Sequence, residues 1–367
     1  MVALSAKTAN EIYGARPDIK IHVYTRDMAL PLAPPKALPG EEGAPSRFLF
    51  PKENTIYEAT LLDIRNPEFT FQSDHLLDDE KRVIYEPKLR FEQLPIRKKF
   101  LQPCKTLSGT VAYLSNTLFC QYGHWFNTQL PMLASYWDTF GKENIDYYYI
   151  GDGITKDFVE ESLIYMGIRK DQIVNFPCRA DRSLISIKYR DLYTDGVQTG
   201  FKMDPYTHRF LKKFLFKPSD SDSGVRSKRI FVMRGNVKVR REYNLSAITD
   251  ALSPLGFDFL SMDGKSMQEE ADIFFNADVI ISVHGSALHN TLFSRAGTTV
   301  IEIFGNEYFE ASNFVISTLS NCNYYYLIGE SVANPHEGDR RYAHVVVDIN
   351  KLLALCAMAG ITNDNSK

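Results

Sequence analysis

The stretch VIISVHGSALHNTLFSRAGTTVIEIFG, residues 279–305, decides how the whole chain is read. An apolar run breaks at Ser282 and is followed by His284-Gly285. A segment rich in small residues comes next, and then a second apolar run carrying one acid, Glu302. Short β-rich runs separated by about a dozen residues of helical pattern are the signature of parallel strands with crossover helices. Working outward, the alternation continues on both sides. Before it lie strand KRIFVMRG, helix NLSAITDALSPLGF, strand FDFL and helix MQEEADIFFNA. After it lie helix YFEASNFVISTLS and strand NYYYLIG. SALHNTLFSRA is read as the helix inside the opening stretch. Five strands with crossover helices predict a parallel sheet covered on both faces. The last helix, DINKLLALCAMAG, either caps this domain or returns to an earlier one.

Upstream, residues from 110 onward show a similar alternation. TVAYL, DYYYIGD, QIVNF and LISIKY read as strands, and GHWFNTQLPMLASYWDTFG, FVEESLIYMGI and PYTHRFLKKFLFK as helices. The polar stretch KPSDSDSGVRSKR, 217–229, breaks the pattern. The fold class expected is α/β, with two Rossmann-like domains facing a cleft and an irregular, β-rich N-terminal segment. The boundaries are 1–100 for the decorating segment, 101–217 for the first α/β domain, 218–229 for the linker, 230–330 for the second domain, and 331–367 for a tail with its helix. LPLAPPKALPGEEGAP, 30–45, reads as a proline-rich loop.

Composition excludes several classes. A net charge of −3 leaves no basic excess to release counterions, which argues against a nucleic-acid partner. The five cysteines are widely spaced, with no paired or Cys/His metal spacing. No run of eighteen apolar residues occurs, and residues 1–30 lack the order of a signal peptide. The sequon Asn244-Leu245-Ser246 lies inside a functional-looking segment, so the chain is read as cytoplasmic. The alternative is a lumenal domain trimmed of its anchor, and peripheral membrane association is left open. Neither G-x-x-x-x-G-K-[ST] nor G-x-G-x-x-G is present, which weighs against kinase, ATPase and dinucleotide chemistry. Asp220-Ser221-Asp222 has no strand before it and reads as solvated loop.

In a doubly wound sheet, ligands bind beyond the carboxyl ends of the strands. His284-Gly285 sits at such an end, and the small residues Gly285, Ser286 and Ala287 allow a phosphate to approach the backbone. In RIFVMRGNVKVRREYN, Arg234 ends a strand, and Arg240 and Arg241 precede the next helix, so all three can reach one sheet edge. Arginine forks match phosphate oxygens, and several converging on one site can stand in for a divalent cation. Glu302, near the end of its strand, is placed to accept hydrogen bonds from ribose hydroxyls. His124 opens the helix QYGHWFNTQLP and faces the expected cleft.

These residues resemble glycosyltransferase family 61. RGNVKVRREYN with its asparagine Asn244, then the HGSALHN block with Ser286 and Asn290, then VIEIFG, carry the resemblance in combination, and GHWFNTQLP is similar to the family's N-terminal-domain motif. The resemblance covers residues 100–330. It implies a GT-B architecture, an inverting mechanism without metal or other cofactor, a UDP-sugar donor of xylose or N-acetylglucosamine type, and a glycan acceptor. The expected setting is polysaccharide biosynthesis, such as a capsular or other surface polymer. The diphosphate would lie among His284, Gly285, Arg234, Arg240 and Arg241, with Ser261 and Met262 flanking the uracil. The chain departs from the family at two points. Thr128-Gln129 stands where an acid would be the base, which leaves His124 and Asp152 as candidates, and Leu245 replaces a glutamate. A second reading, a catalytically silent nucleotide- or sugar-binding protein, follows from the missing acid. A third, a nucleotide-sugar-modifying Rossmann enzyme, lacks its glycine fingerprint.

Overall fold

The computed structural model describes residues 14–26, 30–41, 50, 53–54, 57–69, 76–77, 83–85, 105–115, 121–151, 156–188, 203–216, 228–235, 237–333 and 342–363. Asp152, Cys104, Cys120, the Asp220-Ser221-Asp222 tripeptide and most of the expected linker lie outside them. The chain divides into two compact units, residues 1–29 with 55–191 and residues 30–54 with 192–367. Among the described residues no helix is long and apolar enough to cross a membrane.

The first unit is built on strands β1 (Ile19–Arg26), β2 (Tyr57–Arg65), β3 (Lys105–Tyr113), β4 (Tyr147–Tyr149), β5 (Ile173–Val174) and β6 (Cys178–Lys188), in the order β5-β4-β3-β6-β2-β1. Glu68–Phe69 also pairs with β6, and two further short strands follow from it. The pairs β5/β4, β4/β3 and β3/β6 are parallel, as the alternation requires. Helices α1 (Met132–Phe140) and α2 (Asp157–Tyr165) are the crossovers.

β2 pairs antiparallel with β6, and β1 antiparallel with β2. Segment 1–100, expected as a separate decoration, thus supplies strands to the sheet of the first α/β domain, and the result is a mixed sheet instead of the all-parallel Rossmann-like one. The reason lies in β2: Leu61, Leu62 and Ile64 are fully buried there. The single amphipathic helix expected over 123–141 is three pieces, a short turn Tyr122–His124, a π-helix Trp125–Gln129 and α1. Tyr148 and Tyr149 are core residues; Tyr149 packs on Phe69 at 4.6 Å and on Tyr113 at 5.6 Å.

The second unit contains α3 (Pro205–Leu215), β7 (Arg229–Met233), α4 (Leu245–Leu252), β8 (Asp258–Ser261), α5 (Met267–Asn276), β9 (Val279–Val283), β10 (Thr299–Gly305), α6 (Ser312–Leu319), β11 (Asn323–Val332), β12 (His344–Val346) and α7 (Ile349–Met358). The sheet order is β8-β7-β9-β10-β11-β12. The first five strands run parallel, in the expected doubly wound pattern, and β12 closes the edge antiparallel. The order reverses at β7, so the crevice of the switch point opens between the carboxyl ends of β7 and β9.

Strand alternation sends neighbouring residues to opposite faces, both buried, which is why these strands read as continuous apolar runs. Ile281, Val283, Ile301 and Ile303 join one core with Leu352, Leu355 and Cys356 of α7. The last helix therefore belongs to the second unit. Ile280, Val300 and Phe304 join the other core with Phe274, Phe314 and Tyr324. The proline-rich segment docks on this unit: Lys36 exchanges backbone hydrogen bonds with Tyr324 and Tyr326, both at 3.0 Å, and Phe50 sits among Phe304, Phe309, Phe314, Tyr324 and Tyr326. The expected helix SALHNTLFSRA is a 3-10 helix, Ser286–Phe293.

α3 starts on Asp204, whose carboxylate accepts from the backbone of Tyr206 and Thr207. It buries His208, which bonds the Ser320 hydroxyl at 2.8 Å. Burial, with Lys212 and Arg209 adding repulsion, pulls the His208 imidazole down from 6.5 to about 3. The unfolded chain takes up this proton near pH 6.5 and the folded protein does not, so the stability of the neutral form is complete above that pH. It is lost as pH falls from 6.5 toward 3, by up to about 1.4 kcal/mol per pH unit. Urea unfolding midpoints at pH 7, 6 and 5 should fall less steeply in His208→Gln than in the wild type.

Candidate functional site

The turn after β9 brings together the residues that sequence spacing aimed at one edge. Gly285 has extended backbone, so its role is not torsional. A Cβ built on it would lie 1.6 Å from Nη1 of Arg234. Glycine is required at 285 because the Arg234 guanidinium lies against its backbone, across the switch point between β7 and β9. The Arg234 backbone N–H donates to Glu242 Oε1 at 2.9 Å, which fixes the residue leaving β7.

Arg240 reaches the same place by a different route. It is one of three non-glycine residues with positive φ among those described, at 53°, a conformation that side chains with a Cβ adopt at some cost. Its guanidinium lies 5.0 Å above the Tyr308 ring. Tyr308 in turn meets the His284 ring edge-on at 5.4 Å. Nε of Arg234 and Nε of Arg240 are both buried without a hydrogen-bond partner. Burial, and then the charge of Arg240, pull the Arg234 guanidinium down to about 10, against Glu242 and Asp263, which hold it up. Two half-buried guanidinium groups, each with a buried unspent Nε donor, form a site for an anion.

His284 is 6% exposed and stacks on Phe304 at 5.1 Å. Its Nδ1 pairs with Glu302 Oε1 at 2.6 Å. Glu302 has no exposed area, and its two oxygens are fully engaged. Oε1 also accepts from Asn313 Nδ2 at 2.6 Å, and Oε2 accepts from the Tyr324 hydroxyl at 2.5 Å. The ribose contact expected of Glu302 is corrected here: alternation turns its side chain inward with Val300 and Phe304, where it holds His284 in place. Burial lowers the His284 pKa, with Arg240 and Arg234 reinforcing the shift and Glu302 opposing it.

Other expected residues are placed differently. Asn290 is 1% exposed and gives its amide to Glu270 Oε2 at 2.6 Å, so it ties the 3-10 helix to α5 and does not face a ligand. Asn244 is spent as well: its amide pairs in both directions with the Val347 backbone, at 2.9 Å each. Arg241 is exposed, its backbone N–H bonds His344 Nδ1 at 3.1 Å, and its charge acts with that of Arg234 on Glu242. Ser286 is partly exposed beside Gly285. Ser261 accepts from the Asp263 backbone at 3.1 Å and borders Gly235, while Met262 packs on the core. His124 ends the short turn before the π-helix in the first unit, at half-exposure. Thr128 and Gln129 are buried, with Thr128 Oγ1 and Gln129 Oε1 unpartnered.

Sequence reasoning missed Tyr308, Glu310, Asn313 and Tyr324. Glu310 accepts from the Ser312 backbone at 2.9 Å and from the Ser312 hydroxyl. Burial raises its carboxyl to about 7, with Glu302 adding, against the Ser312 bonds and the charge of Arg240. The only signal for Glu310 is an acid two residues before a helix start, and that reads as a cap. Among the described residues there is no group of three or more His, Cys, Asp or Glu that could hold a metal ion.

Gly285→Ala should displace the Arg234 guanidinium while leaving the sheet intact, because the clash falls on the far end of a flexible side chain. Overpacking of this kind costs about 1–3 kcal/mol at most. Thermal unfolding with and without inorganic pyrophosphate checks it: the expected outcome is a folded variant whose melting temperature no longer rises with the anion.

Two comparisons bear on the site. Residues 122–301 match the family model described as Glycosyltransferase 61, a span running from the π-helix region through Gly285 to the strand of Glu302. Over 156 residues the chain is 25% identical to the beta-1,2-xylosyltransferase XAX1 of Oryza sativa subsp. japonica, an alignment that takes in 41% of this chain. The chain spans 25% of the length of that relative. The arginine pair and the His-Gly turn lie inside the 122–301 segment that matches glycosyltransferase family 61, and the buried acid of VIEIF follows directly at its end.

Proposed function

We propose that the protein is a glycosyltransferase that moves a sugar from a UDP-sugar, of xylose or N-acetylglucosamine type, to a glycan acceptor with inversion at the anomeric carbon. The observation that carries the reading is the convergence of Arg234 and Arg240 beside the His284-Gly285 turn, each with a buried unspent donor. In the reaction, the acceptor oxygen bonds to the anomeric carbon as the bond to the diphosphate oxygen breaks. The electron pair leaves with the nucleoside diphosphate. Fixed guanidinium groups at the switch point stabilise that charge without reorganising, so the reading assigns to arginine the task a divalent cation performs elsewhere. His124 and Asp152 are put forward for the acceptor proton, since neither Thr128 nor Gln129 is a base. Polysaccharide biosynthesis in the cytoplasm is the setting that fits the widely spaced cysteines and the sequon inside the arginine segment.

The catalytically silent binding protein is kept as the second reading, because Thr128 and Gln129 occupy the position of the expected acid. Both readings share the anion site and separate on turnover. Thermal shift with UDP, GDP, CMP and NAD, each with EDTA present, should show a rise with UDP. Arg234→Ala should weaken UDP binding about ten- to a hundredfold, the loss of one charge-assisted hydrogen bond, and abolish sugar transfer from UDP-xylose or UDP-N-acetylglucosamine. Full transfer activity in Arg234→Ala would refute the site. UDP binding with no transfer to any glycan tried would favour the silent protein.

A further inference from the structure

Glu302 is a fully buried acid with three donors around it and no route to water. The Tyr324 hydroxyl and the Asn313 amide hold it still, and Asn313 is itself anchored on the Gly285 carbonyl at 3.3 Å. The carboxylate in turn fixes His284 by Nδ1, which leaves Nε2 as the ring nitrogen not bonded to Glu302, on an imidazole that the charges of Arg240 and Arg234 reach. A neutral imidazole with its Nδ1 proton on Glu302 has only a lone pair at Nε2, and a lone pair repels a phosphate oxygen. An imidazolium in the same place donates to one.

We propose that His284 binds the diphosphate together with a proton: it is neutral in the free protein and becomes an imidazolium when the anion arrives, with Nε2–H on a phosphate oxygen and Nδ1–H on Glu302. The proposal rests on the nucleoside-diphosphate reading of the site. Glu302 is then a positioning residue and the built-in counter-ion for that proton, and Tyr324 and Asn313 keep it in register.

The charges facing His284 make this balance workable. Arg234 from the end of β7 and Arg240 from the loop before α4 oppose a third positive charge in the free protein, and burial opposes it further. Glu302 from β10 favours it. Glu310, from the loop before α6, acts on Glu302's surroundings and on Arg240, while Glu242 and Asp263 act on Arg234. Tyr308 and Phe304 add rings and no charge. A diphosphate between the two guanidinium groups cancels the repulsion and adds attraction, which leaves Glu302 and the anion on either side of the imidazole. The sign follows: binding takes up a proton, so affinity falls as pH rises.

Calorimetric titration of the full chain with UDP at pH 7.5, in PIPES, HEPES and Tris, reads the proton directly from the dependence of heat on buffer ionisation. The expected result is uptake of roughly half to one proton per UDP, with Kd rising about three- to tenfold per pH unit between pH 7 and 8.5. Glu302→Gln should bind UDP with uptake near zero, because an amide does not balance an imidazolium. His284→Gln, which keeps a donor at that position, should bind more weakly and exchange no proton, and it tests the proposal whether or not Glu302→Gln folds. Wild-type binding without proton uptake, or uptake unchanged in His284→Gln, would overturn the proposal and leave the anion site standing. No binding of UDP or GDP by the wild type would overturn the nucleoside-diphosphate reading along with it.

Discussion

The close approach of Arg234 to the backbone of Gly285 is the constraint on which the site depends. It joins the carboxyl ends of β7 and β9 at the one place where the strand order reverses. A parallel sheet fixes the spacing of those two ends, and residue 285 must then lack a side chain for a guanidinium to lie between them. The position of Arg240 follows from the same geometry. With Arg234 already at the crevice, a second arginine gathers there only if the loop after β7 turns back, and it does so through the left-handed conformation of residue 240. That local cost, with two guanidinium groups pressed into a partly buried edge, is the kind of strain folded proteins retain where a ligand is to be met.

Beneath this cationic edge lies an anionic layer. Glu302, Tyr324, Asn313 and His284 form a closed hydrogen-bonded network in an otherwise apolar core of Phe304, Phe314 and Val300. A buried acid without such donors would cost several kcal/mol. Here the donors come from three places, the turn after β9, α6 and β11, so the network also ties the turn of the site to the sheet and to the helix that covers it. The first unit shows a related economy. The tyrosines at 148 and 149 pack as core residues, and the polar side chains of Thr128 and Gln129 sit inside a π-helix, a geometry often retained at functional positions.

Particular residues show which placements a sequence makes visible and which it does not. Arg234, His284 and Gly285 were legible because each lies at the end of an apolar run, and in a parallel sheet all such ends share one edge. Asn244 and Asn290 were not, because an asparagine beside a helix start looks the same whether it faces a ligand, the Val347 backbone or Glu270. Glu302 was found and misassigned. Its position near a strand end is visible, but its direction depends on which face of the sheet each alternate residue takes. Nothing in their spacing joins Tyr308, Glu310, Asn313 or Tyr324 to residue 284.

Periodicity alone was enough to place the parallel, doubly wound second unit and to bring Arg234, Arg240 and His284-Gly285 to one edge of it. Periodicity and strand ends are local properties, and parallel strands turn them into a common place. The tertiary structure alone decided that strands from residues 19–65 join the first sheet antiparallel, that the HGSALHN segment is a 3-10 helix, and that Glu302 points inward to hold His284. Each of these rests on a partner distant in the chain, and the energy of burying a polar group is settled by that partner and not by the residue's neighbours in sequence.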